Sequence, residues 1–396
     1  MKKYCFFLCS VEVGLACLLL LAGLLTGCFS SEVKPELARL FPTPTEQNVK
    51  KIEISHLEIE PYSLDTIESS YMGYLELRND TIYLIDKRYC WVFRFTKEGR
   101  LIDRQLGLGA GPKEYNCGII DGYCHLQDGR WIFLDSGAGY TYFTDNFERG
   151  NRMQIQMEGS REDKSYDNPM VYTKDYEFLF LRQMGDYLYY NVVAWEGMAE
   201  DFMSNTTDYF RKVKILMKMN LKTGQVEQLL GGYPALYELK HAVFQQVSFD
   251  VDQAKERFYV SYDADSLIYC YDKEYQPLYS FGWQGEEMKT DYSTYSWETL
   301  LKQRPKIRSE YSYYHDIRYI EELGLLFRPY KKSPDSATDG LQIYRGQTLI
   351  GDVDVPKGMI VLGYSQPYVY GTTGMDGTRE SVDVFRFKFN RLTTAS

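Results

Sequence analysis

Short runs of β-branched and aromatic residues, separated by Gly, Asp and Asn, recur along the chain from about residue 49. The clearest unit spans Thr81 to Leu106, with runs at 82–86, 91–95 and 101–106. The first run is apolar on both faces, the second alternates and the third is half polar. This is the pattern expected of three antiparallel strands that become wetter towards the outer edge of a sheet. The 36 tyrosines favour the same interpretation, because tyrosine prefers strands to helices.

Six such units can be counted along the sequence. The later units begin with runs at 131–135, 177–181, 258–262, 325–328 and 368–370. A closed propeller is the arrangement in which every unit packs on two neighbours and no long sheet edge is left bare. We therefore predict an all-β fold, a six-bladed β-propeller, over residues 49–396.

Ring closure requires one blade to combine strands from both ends of the chain. The alternating segment from Ile52 to Ile59 is well placed to complete the blade formed by residues 359–390. The N-terminal and C-terminal strands are therefore predicted to pair, and truncating either end is expected to open the ring.

Two insertions interrupt the repeat, at residues 194–211 and 286–314. They account for units longer than the roughly 40–50 residues of a four-stranded blade. In the second insertion, apolar residues at helical spacing predict a short helix between Tyr292 and Gln303. Most aromatic residues are expected to fill space between blades, whereas those of the insertions are expected at an exposed surface. The latter are Trp195, Tyr209, Tyr292, Tyr295 and Trp297.

The first 27 residues have the anatomy of a secretory signal, because two lysines precede an apolar stretch that ends in small residues. The segment Leu25-Thr26-Gly27-Cys28 then follows the order of a bacterial lipobox. An uncleaved transmembrane anchor would need about 20 apolar residues, and residues 13–25 are fewer. We predict cleavage before Cys28 and lipidation of Cys28. Since each buried CH₂ contributes about 0.8 kcal/mol and more than one acyl chain is attached, the anchor is expected to be stable.

Residues 28–48 follow as the acylated cysteine and a flexible stalk, because they mix Ser, Glu and Pro without periodicity. The folded part is expected at the bacterial cell envelope, lipid-anchored, at the outer membrane. Four further thiols remain in the mature chain, and Cys117 and Cys124 are the closest pair. An exported protein permits a disulfide between them, but free buried cysteines are the favoured state.

The stretch from Gly107 to Tyr115, which reads GLGAGPKEY, follows the first unit directly. It resembles the G-x-G-x-G-P-x-E-[FY] signature of six-bladed β-propeller lipoproteins of the Bacteroides type, which are related to NHL-repeat and TolB-like propellers. The resemblance covers about residues 78–118, with a faint echo at 282–286. It implies the fold, export and a role in recognition at the cell envelope, and it implies no reaction. A phosphate-binding loop is not supported, because no Lys-Ser/Thr follows the glycines.

The composition argues against nucleic acid as a partner. A net charge of −10 does not supply the clustered Lys and Arg that such a partner needs. The four histidines, His56, His125, His241 and His315, lack the spacing of known metal sites or catalytic motifs. His315 lies beside Asp316 and Arg318 in sequence, but neighbours in a strand point to opposite faces.

Two pairs of carboxylates, Asp263 with Asp265 and Asp352 with Asp354, could contribute to a Ca²⁺ site, although turn-capping or solvated side chains are the favoured interpretation. We therefore predict no catalytic residue, no metal ligand and no cofactor, and we leave the binding residues unassigned. The preferred function is a non-catalytic binding module for a glycan, a peptide or an envelope protein. The alternative is a hydrolase or lyase that uses the funnel of the propeller, with or without Ca²⁺.

Overall fold

The structure is a computed structural model, and it describes residues 48–175, 179–194, 206–239 and 242–389. This part of the chain contains 28 strands and two α-helices, α1 (Thr206–Lys212) and α2 (Trp297–Ser309). Three short 3₁₀ turns lie at Pro169–Val171, Ala235–Leu239 and Ala242–Phe244. In the described residues, no helix has both the length and the apolar character needed to cross a membrane.

The strands follow one another blade by blade. The first two are β1 (Val49–Ile54) and β2 (Ile59–Ser63). Blade 1 contains β3 (Met72–Arg78), β4 (Thr81–Asp86), β5 (Trp91–Thr96) and β6 (Leu101–Leu106). Blade 2 contains β7 (Ile120–His125), β8 (Trp131–Asp135), β9 (Gly139–Phe143) and β10 (Arg149–Gln154). Blade 3 contains β11 (Tyr172–Lys174), β12 (Leu181–Met184), β13 (Tyr187–Ala194), β14 (Leu216–Asn220) and β15 (Val226–Leu230).

The second half of the chain continues the pattern. Blade 4 contains β16 (Val247–Asp252), β17 (Arg257–Tyr262), β18 (Ile268–Tyr271) and β19 (Pro277–Phe281). Blade 5 contains β20 (Tyr313–Tyr314), β21 (Arg318–Ile320), β22 (Leu325–Lys331), β23 (Asp339–Arg345) and β24 (Thr348–Val355). Blade 6 contains β25 (Ile360–Ser365), β26 (Tyr368–Thr372) and β28 (Asp383–Lys388), and β27 (Met375–Asp376) pairs with β3 of blade 1.

The six sheets form a six-bladed β-propeller, as the repeat predicts. In blade 1, burial is greatest at the second strand and decreases outwards from there: β4 is buried almost throughout, β5 is partly buried, and β6 has no buried residue. The innermost strand β3 is only partly buried. The fully buried aromatic side chains include Trp131, Tyr140 and Tyr344. Aromatic rings of this size fill the space where the faces of neighbouring blades meet. The expectation that most of the aromatic residues are structural is confirmed for these positions.

The closure of the ring differs in one respect from the prediction. Strand β2 pairs with β28 in an antiparallel register that places Ile59 opposite Phe387, so the N-terminal segment does complete blade 6. The segment from Ile52 to Ile59 is not one strand, however. Strand β1 pairs with β24 of blade 5, and this pairing is parallel. The chain therefore adds one strand to each of two neighbouring blades before it enters blade 1.

The innermost strands are the elements that the sequence pattern did not reveal. The predicted first runs of the second and fourth units are β8 and β17, which are the second strands of their blades. In blade 3, β11 and β12 both pair with β13, so the inner strand is interrupted. Part of the run predicted at 177–181 lies outside the described residues, and the described strand begins at Leu181. In blade 5, β20 and β21 both pair with β22, and residues 315–317 bulge between them.

All long connections emerge at one end of the propeller. In each blade the chain runs from the innermost strand outwards, and successive strands are antiparallel. The link between the second and third strands and the link to the next blade therefore lie at the same end of the propeller. We call the surface that they form the loop face. At the opposite end, the turns within the blades are two to five residues long. The described parts of both insertions lie on the loop face. Helix α1 is the described end of the first insertion. Helix α2 begins within residues 292–303, where a helix is predicted, and extends beyond them to Ser309.

Candidate functional site

Polar side chains from the innermost strands meet at the axis of the propeller. Blades 1 to 5 contribute Glu76, Tyr123, Arg182, Asp250 and Arg318, in that order. All except Asp250 line a cavity of about 160 Å³, which we call the axial cavity. Its apolar lining comes mainly from blades 3 and 6 and includes Phe180, Leu181, Ile360, Val361 and Leu362.

The charged groups at the axis form a connected network in which positive and negative charges are equal in number. The Arg182 Nε donates to the Asp250 carboxylate. The Arg318 guanidinium lies 3.9 Å from Asp250 and 3.6 Å from Glu76, and the Tyr123 hydroxyl donates to Glu76 over 2.8 Å. Burial opposes the charge of Arg318, but Asp250 and Glu76 outweigh it and raise its pKa. Two arginines and two carboxylates therefore neutralise one another across four blades.

Asp316 is the acidic group of the axial cavity that lacks such a partner. It lies in the bulge between β20 and β21, and 7% of the residue is exposed. No cation of the described residues lies within ion-pairing distance of its carboxylate. Burial raises the pKa of Asp316 to about 7, and the more distant charges of Arg182 and Arg318 offset only part of this effect. The carboxyl group can therefore exchange a proton near neutral pH, or donate a hydrogen bond to a molecule in the cavity.

The imidazole of His315 does not take part in this arrangement. Its titration is influenced by Asp339 and Arg308 rather than by Asp316, and burial lowers its pKa to about 4. This agrees with the opposite directions of adjacent side chains. Of this segment the sequence singled out His315 as the candidate, whereas the structure places its neighbours Asp316 and Arg318, and not the histidine, at the axial cavity.

Neither of the other two histidines that the structure describes, His56 and His125, forms a site. His56 is exposed, and His241 lies outside the described residues. His125 packs edge-on against Trp131 with ring centroids 4.6 Å apart. Burial lowers the pKa of His125 to about 4, which keeps the ring neutral at physiological pH. Its environment is that of a packed core residue.

The two carboxylate pairs have separate partners. Asp263 accepts from Arg308 over 2.7 Å, and Asp265 accepts from the Tyr269 hydroxyl over 2.8 Å. Burial raises the pKa of Asp263 to about 6 despite this arginine. In the other pair, Asp352 accepts from Tyr330 and Asp354 from Lys332. Across the described ranges, no three Asp, Glu, His or Cys side chains are grouped to hold a metal ion.

The aromatic residues of the insertions are mostly packed against each other. The expectation of an exposed Tyr209 is wrong, because the residue is 6% exposed and its ring lies 5.3 Å from that of Phe210. Tyr292 is half-buried and its ring centroid lies 4.4 Å from that of Phe244. Tyr295 is half-buried as well. Trp195 and the side chain of Trp297 lie outside the described residues. The aromatic residues of the insertions thus pack into the hydrophobic core of blades 2 to 4, which the sequence pattern did not indicate.

The glycine-rich stretch is a structural link between blades 1 and 2. The backbone of Tyr115 pairs with that of Gly107 and Gly109, and the Glu114 carboxylate accepts from the Gly111 N–H over 2.7 Å. Tyr115 is fully buried. The four cysteines of the described residues are free thiols, and Cys117 is not bridged to Cys124. Cys28, the predicted site of lipidation, lies outside the described residues.

Exposed apolar side chains also occur on the loop face. Tyr89, Leu108 and Ile119 are 46%, 60% and 44% exposed, and all three lie on connections of blade 1. Residues 90 and 118 hold two of these connections together, because the Cys90 Sγ donates to the Gly118 carbonyl over 2.7 Å. The three side chains form what we call the blade 1 patch. Exposed apolar groups on neighbouring loops are typical of surfaces that bind other molecules.

Sequence reasoning missed most of the axial residues. Glu76, Arg182 and Asp250 are charged residues inside short, mostly apolar runs, although the strands of Glu76 and Asp250 end in a second charged residue. A charge inside such a run was the available signal, since a buried charge requires a partner. The partners themselves were not visible, because they come from other blades.

The comparisons with known proteins agree with the propeller architecture. No protein-family model and no curated protein matches the sequence. Among solved structures, a DUF4221 family member from Bacteroides vulgatus is similar, with a TM-score of 0.58 and 11% identity, over 84% of this chain and 98% of that chain. A Bacteroides fragilis protein, provisionally designated as exported, has a TM-score of 0.46 and 14% identity over 85% and 97% of the two chains. The first likeness shows the fold of this chain.

Proposed function

We propose that this chain is a lipid-anchored lipoprotein of the bacterial cell envelope. Its propeller acts as a non-catalytic module that binds a glycan, a peptide or an envelope protein. The lipobox at Leu25-Thr26-Gly27-Cys28 supports the anchor and an outer-membrane location. The signature at Gly107–Tyr115 supports membership of the Bacteroides-type propeller lipoproteins related to NHL-repeat and TolB-like proteins. The observation that carries the binding role is the loop face, on which the long connections and the blade 1 patch lie.

The anchor is tested with the full chain expressed in a Bacteroides host. Wild-type protein is expected to enter the detergent phase on phase separation and to incorporate a labelled fatty acid. Replacement Cys28→Ser is expected to abolish both results, because no thioether-linked chain can form. Cys117→Ser, at a thiol of the folded part, is the matched control. Equal detergent partitioning of the Cys28→Ser variant and the wild type would exclude the lipoprotein assignment.

The binding role is tested with the mature protein on glycan and peptide arrays and with envelope extracts. The variant Tyr89→Ser/Leu108→Ser/Ile119→Ser is expected to lose the captured ligand, because the apolar contact area is removed. Leu278→Ser, at a residue 40% exposed on the outer strand of blade 4, serves as the control and is expected to retain it. If the wild type captures nothing above background, the binding role is not supported.

A second function is favoured by one observation, the unpaired Asp316 in the axial cavity. A buried carboxyl group with a pKa near 7 is suited to general acid–base catalysis. The corresponding proposal is a hydrolase or lyase that works in the propeller funnel, with Asp316 as the proton-transferring residue. A panel of ester, lactone and glycan substrates tests it, with and without Ca²⁺. Turnover that Asp316→Asn abolishes would support this function, and the absence of turnover across the panel would count against it.

A further inference from the structure

A second and larger cavity lies on the loop face between blades 2 and 3. Its volume is about 460 Å³, which is within the roughly 300–1,000 Å³ typical of small-molecule sites. The turn at residues 136–138, the link at 155–171 and strand β11 form its walls. None of its lining residues belongs to the axial cavity or to the blade 1 patch. We call it the side pocket.

The charge of the side pocket is opposite to that of the whole chain. Its lining contains three cationic side chains, Arg161, Lys164 and Lys174, and no carboxylate. The chain as a whole carries a net charge of −10. A concentration of positive charge at a concave position attracts anions, because the low-dielectric walls focus the field.

The three cations differ in their freedom to bind. Lys174 is 7% exposed and pairs with the Asp121 carboxylate over 2.9 Å, so its ammonium group is fixed and its charge is balanced by the protein. Arg161 and Lys164 are exposed, and neither has a hydrogen bond or ion pair with any described residue. These two cations are therefore available to a ligand, whereas Lys174 is already engaged.

The acidic groups around the side pocket are directed to other donors. The Asp135 carboxylate accepts from the Gly139 N–H over 2.9 Å and pairs with Arg152 over 2.8 Å. Asp167 pairs with Lys214 over 3.4 Å.

Glu162, next to Arg161 in the chain, is the acidic group that both exposed cations influence: its carboxylate accepts from the Ser160 hydroxyl, and the charges of Lys164 and Arg161 contribute to the lowering of its pKa. Glu162 does not line the pocket and forms no ion pair with either cation, so it weakens the positive charge there without occupying the two cationic groups.

The body of the side pocket is apolar and aromatic. The Tyr172 hydroxyl donates to the Tyr166 carbonyl, and the Tyr190 hydroxyl contacts Met217 Sδ over 3.2 Å. Both hydroxyl groups are thus engaged with the protein, and the remaining apolar lining includes Ile155, Met157, Met170 and Val171. Methionine and aromatic side chains adapt to flat or irregular apolar groups.

We propose that the side pocket binds an organic anion, in which a carboxylate or phosphate group is attached to an apolar body. The charged group lies between Arg161 and Lys164, and the apolar body contacts the tyrosine and methionine walls. This inference goes beyond the proposed function, because it assigns a ligand class to a site separate from the blade 1 patch.

Isothermal titration calorimetry with matched probe pairs tests the assignment on the mature protein. The pairs are octanoate with 1-octanol and phenyl phosphate with phenol. Inorganic phosphate serves as an anion that has no apolar group. An anion of at least one pair is expected to bind about tenfold or more tightly than its neutral partner and than inorganic phosphate, since charge-assisted hydrogen bonds and apolar contact both contribute. The pair that responds distinguishes carboxylate from phosphate.

The variant Arg161→Gln/Lys164→Gln is expected to weaken the anion about tenfold or more and to leave the far-ultraviolet circular dichroism unchanged, because both side chains are exposed. Lys357→Gln is the matched control, since this exposed lysine lies on the link between blades 5 and 6. It is expected to leave affinity unchanged. Equal affinity for charged and neutral probes, retention of binding in the double variant, or no binding of any anion at millimolar concentration would each overturn the proposal. None of these results depends on the blade 1 patch.

Discussion

Arg182 and Asp250 meet at the propeller axis, where the guanidinium of a strand in blade 3 donates to the carboxylate of a strand in blade 4. The Asp250 side chain is 6% exposed and that of Arg182 is 21% exposed. Because the two residues belong to different blades, their pairing connects neighbouring sheets at the point where the sheets are closest. The ion pair can form only when blades 3 and 4 are packed side by side, so it stabilises the assembled ring rather than either blade alone.

Replacement of Arg182 is therefore expected to destabilise the propeller. Arg182→Met leaves the buried Asp250 carboxylate without its closest cation, and breaking a buried pair in this way costs about 3–5 kcal/mol. Urea unfolding of the variant and the wild type measures the difference. Lys222→Met is the control, because Lys222 and Asp186 form an exposed pair at 2.9 Å whose loss is expected to leave the free energy of unfolding nearly unchanged. Equal losses in the two variants would contradict the role of the axial pair.

The two N-terminal strands are expected to differ in their importance. Without residues 28–55, blade 5 still has all five of its strands β20 to β24, and the loss of mostly exposed β1 is expected to cost about 2 kcal/mol. Without residues 28–65, blade 6 loses its outer strand and the ring is open. We expect the shorter truncation to unfold cooperatively in a thermal scan and the longer one to aggregate or to lose the sharp transition. A sharp transition in both would show that β2 does not close the ring.

The stability of the protein is expected to depend on the protonation of Asp316. Its pKa rises from 3.8 to about 7 on folding, so the folded state binds this proton more tightly than the unfolded chain does. The contribution of Asp316 to stability is therefore largest below pH 4 and decreases as the pH rises to about 7. Asp316→Asn removes this decrease.

The free energy of unfolding of Asp316→Asn, measured relative to that of the wild type, is expected to increase by a few kcal/mol as the pH rises from 4 to 8. Urea unfolding of both proteins at each pH measures this difference. The lowered pKa values of His125 and His315 act with the opposite sign, but both proteins share them and their effect cancels in the comparison. A constant difference across this pH range would show that the Asp316 carboxyl is not perturbed by folding.

In the link after blade 1, replacing one glycine by alanine is expected to leave the free energy of unfolding nearly unchanged, whereas the same replacement at another glycine is expected to lower it. A Cβ at Gly109 would collide with the Glu114 carboxylate, which is held by the Gly111 N–H. A Cβ at Gly107 would have its nearest neighbour, Trp91, at 3.7 Å. Gly109→Ala is expected to lower the free energy of unfolding by about 1–3 kcal/mol, and Gly107→Ala by less than about 1 kcal/mol. Thermal unfolding of both variants measures this, and equal effects would contradict the close approach.

The fold could be predicted to a large extent because its signals are local. The run at 82–86, the alternation at 91–95 and the turn residues after them each depend on a few adjacent residues. The innermost strands escaped prediction because they carry polar groups to the axis. Met72–Arg78 and Val247–Asp252 contain Glu76 and Asp250, whose charges interrupt the apolar pattern by which strands were recognised.

The candidate site could be predicted only in part. Asp316 and Arg318 were singled out as sequence neighbours of His315, and the structure places both at the axial cavity. The expectation that Tyr209 is exposed failed because this residue packs into the hydrophobic core of blades 2 to 4. The side pocket was not predicted, because its walls come from separate segments of blades 2 and 3.

The sequence by itself determined the strand-rich class, the number of repeated units and the need to join both chain ends, because β-propensity, alternation and turn chemistry reside in contiguous residues. Only the tertiary structure decided which charges meet at the axis and which cations line the side pocket. Glu76, Arg182 and Asp250 are far apart along the chain, and their proximity depends on how six sheets pack around one axis. Such contacts follow from the relative placement of the blades, which no single segment encodes.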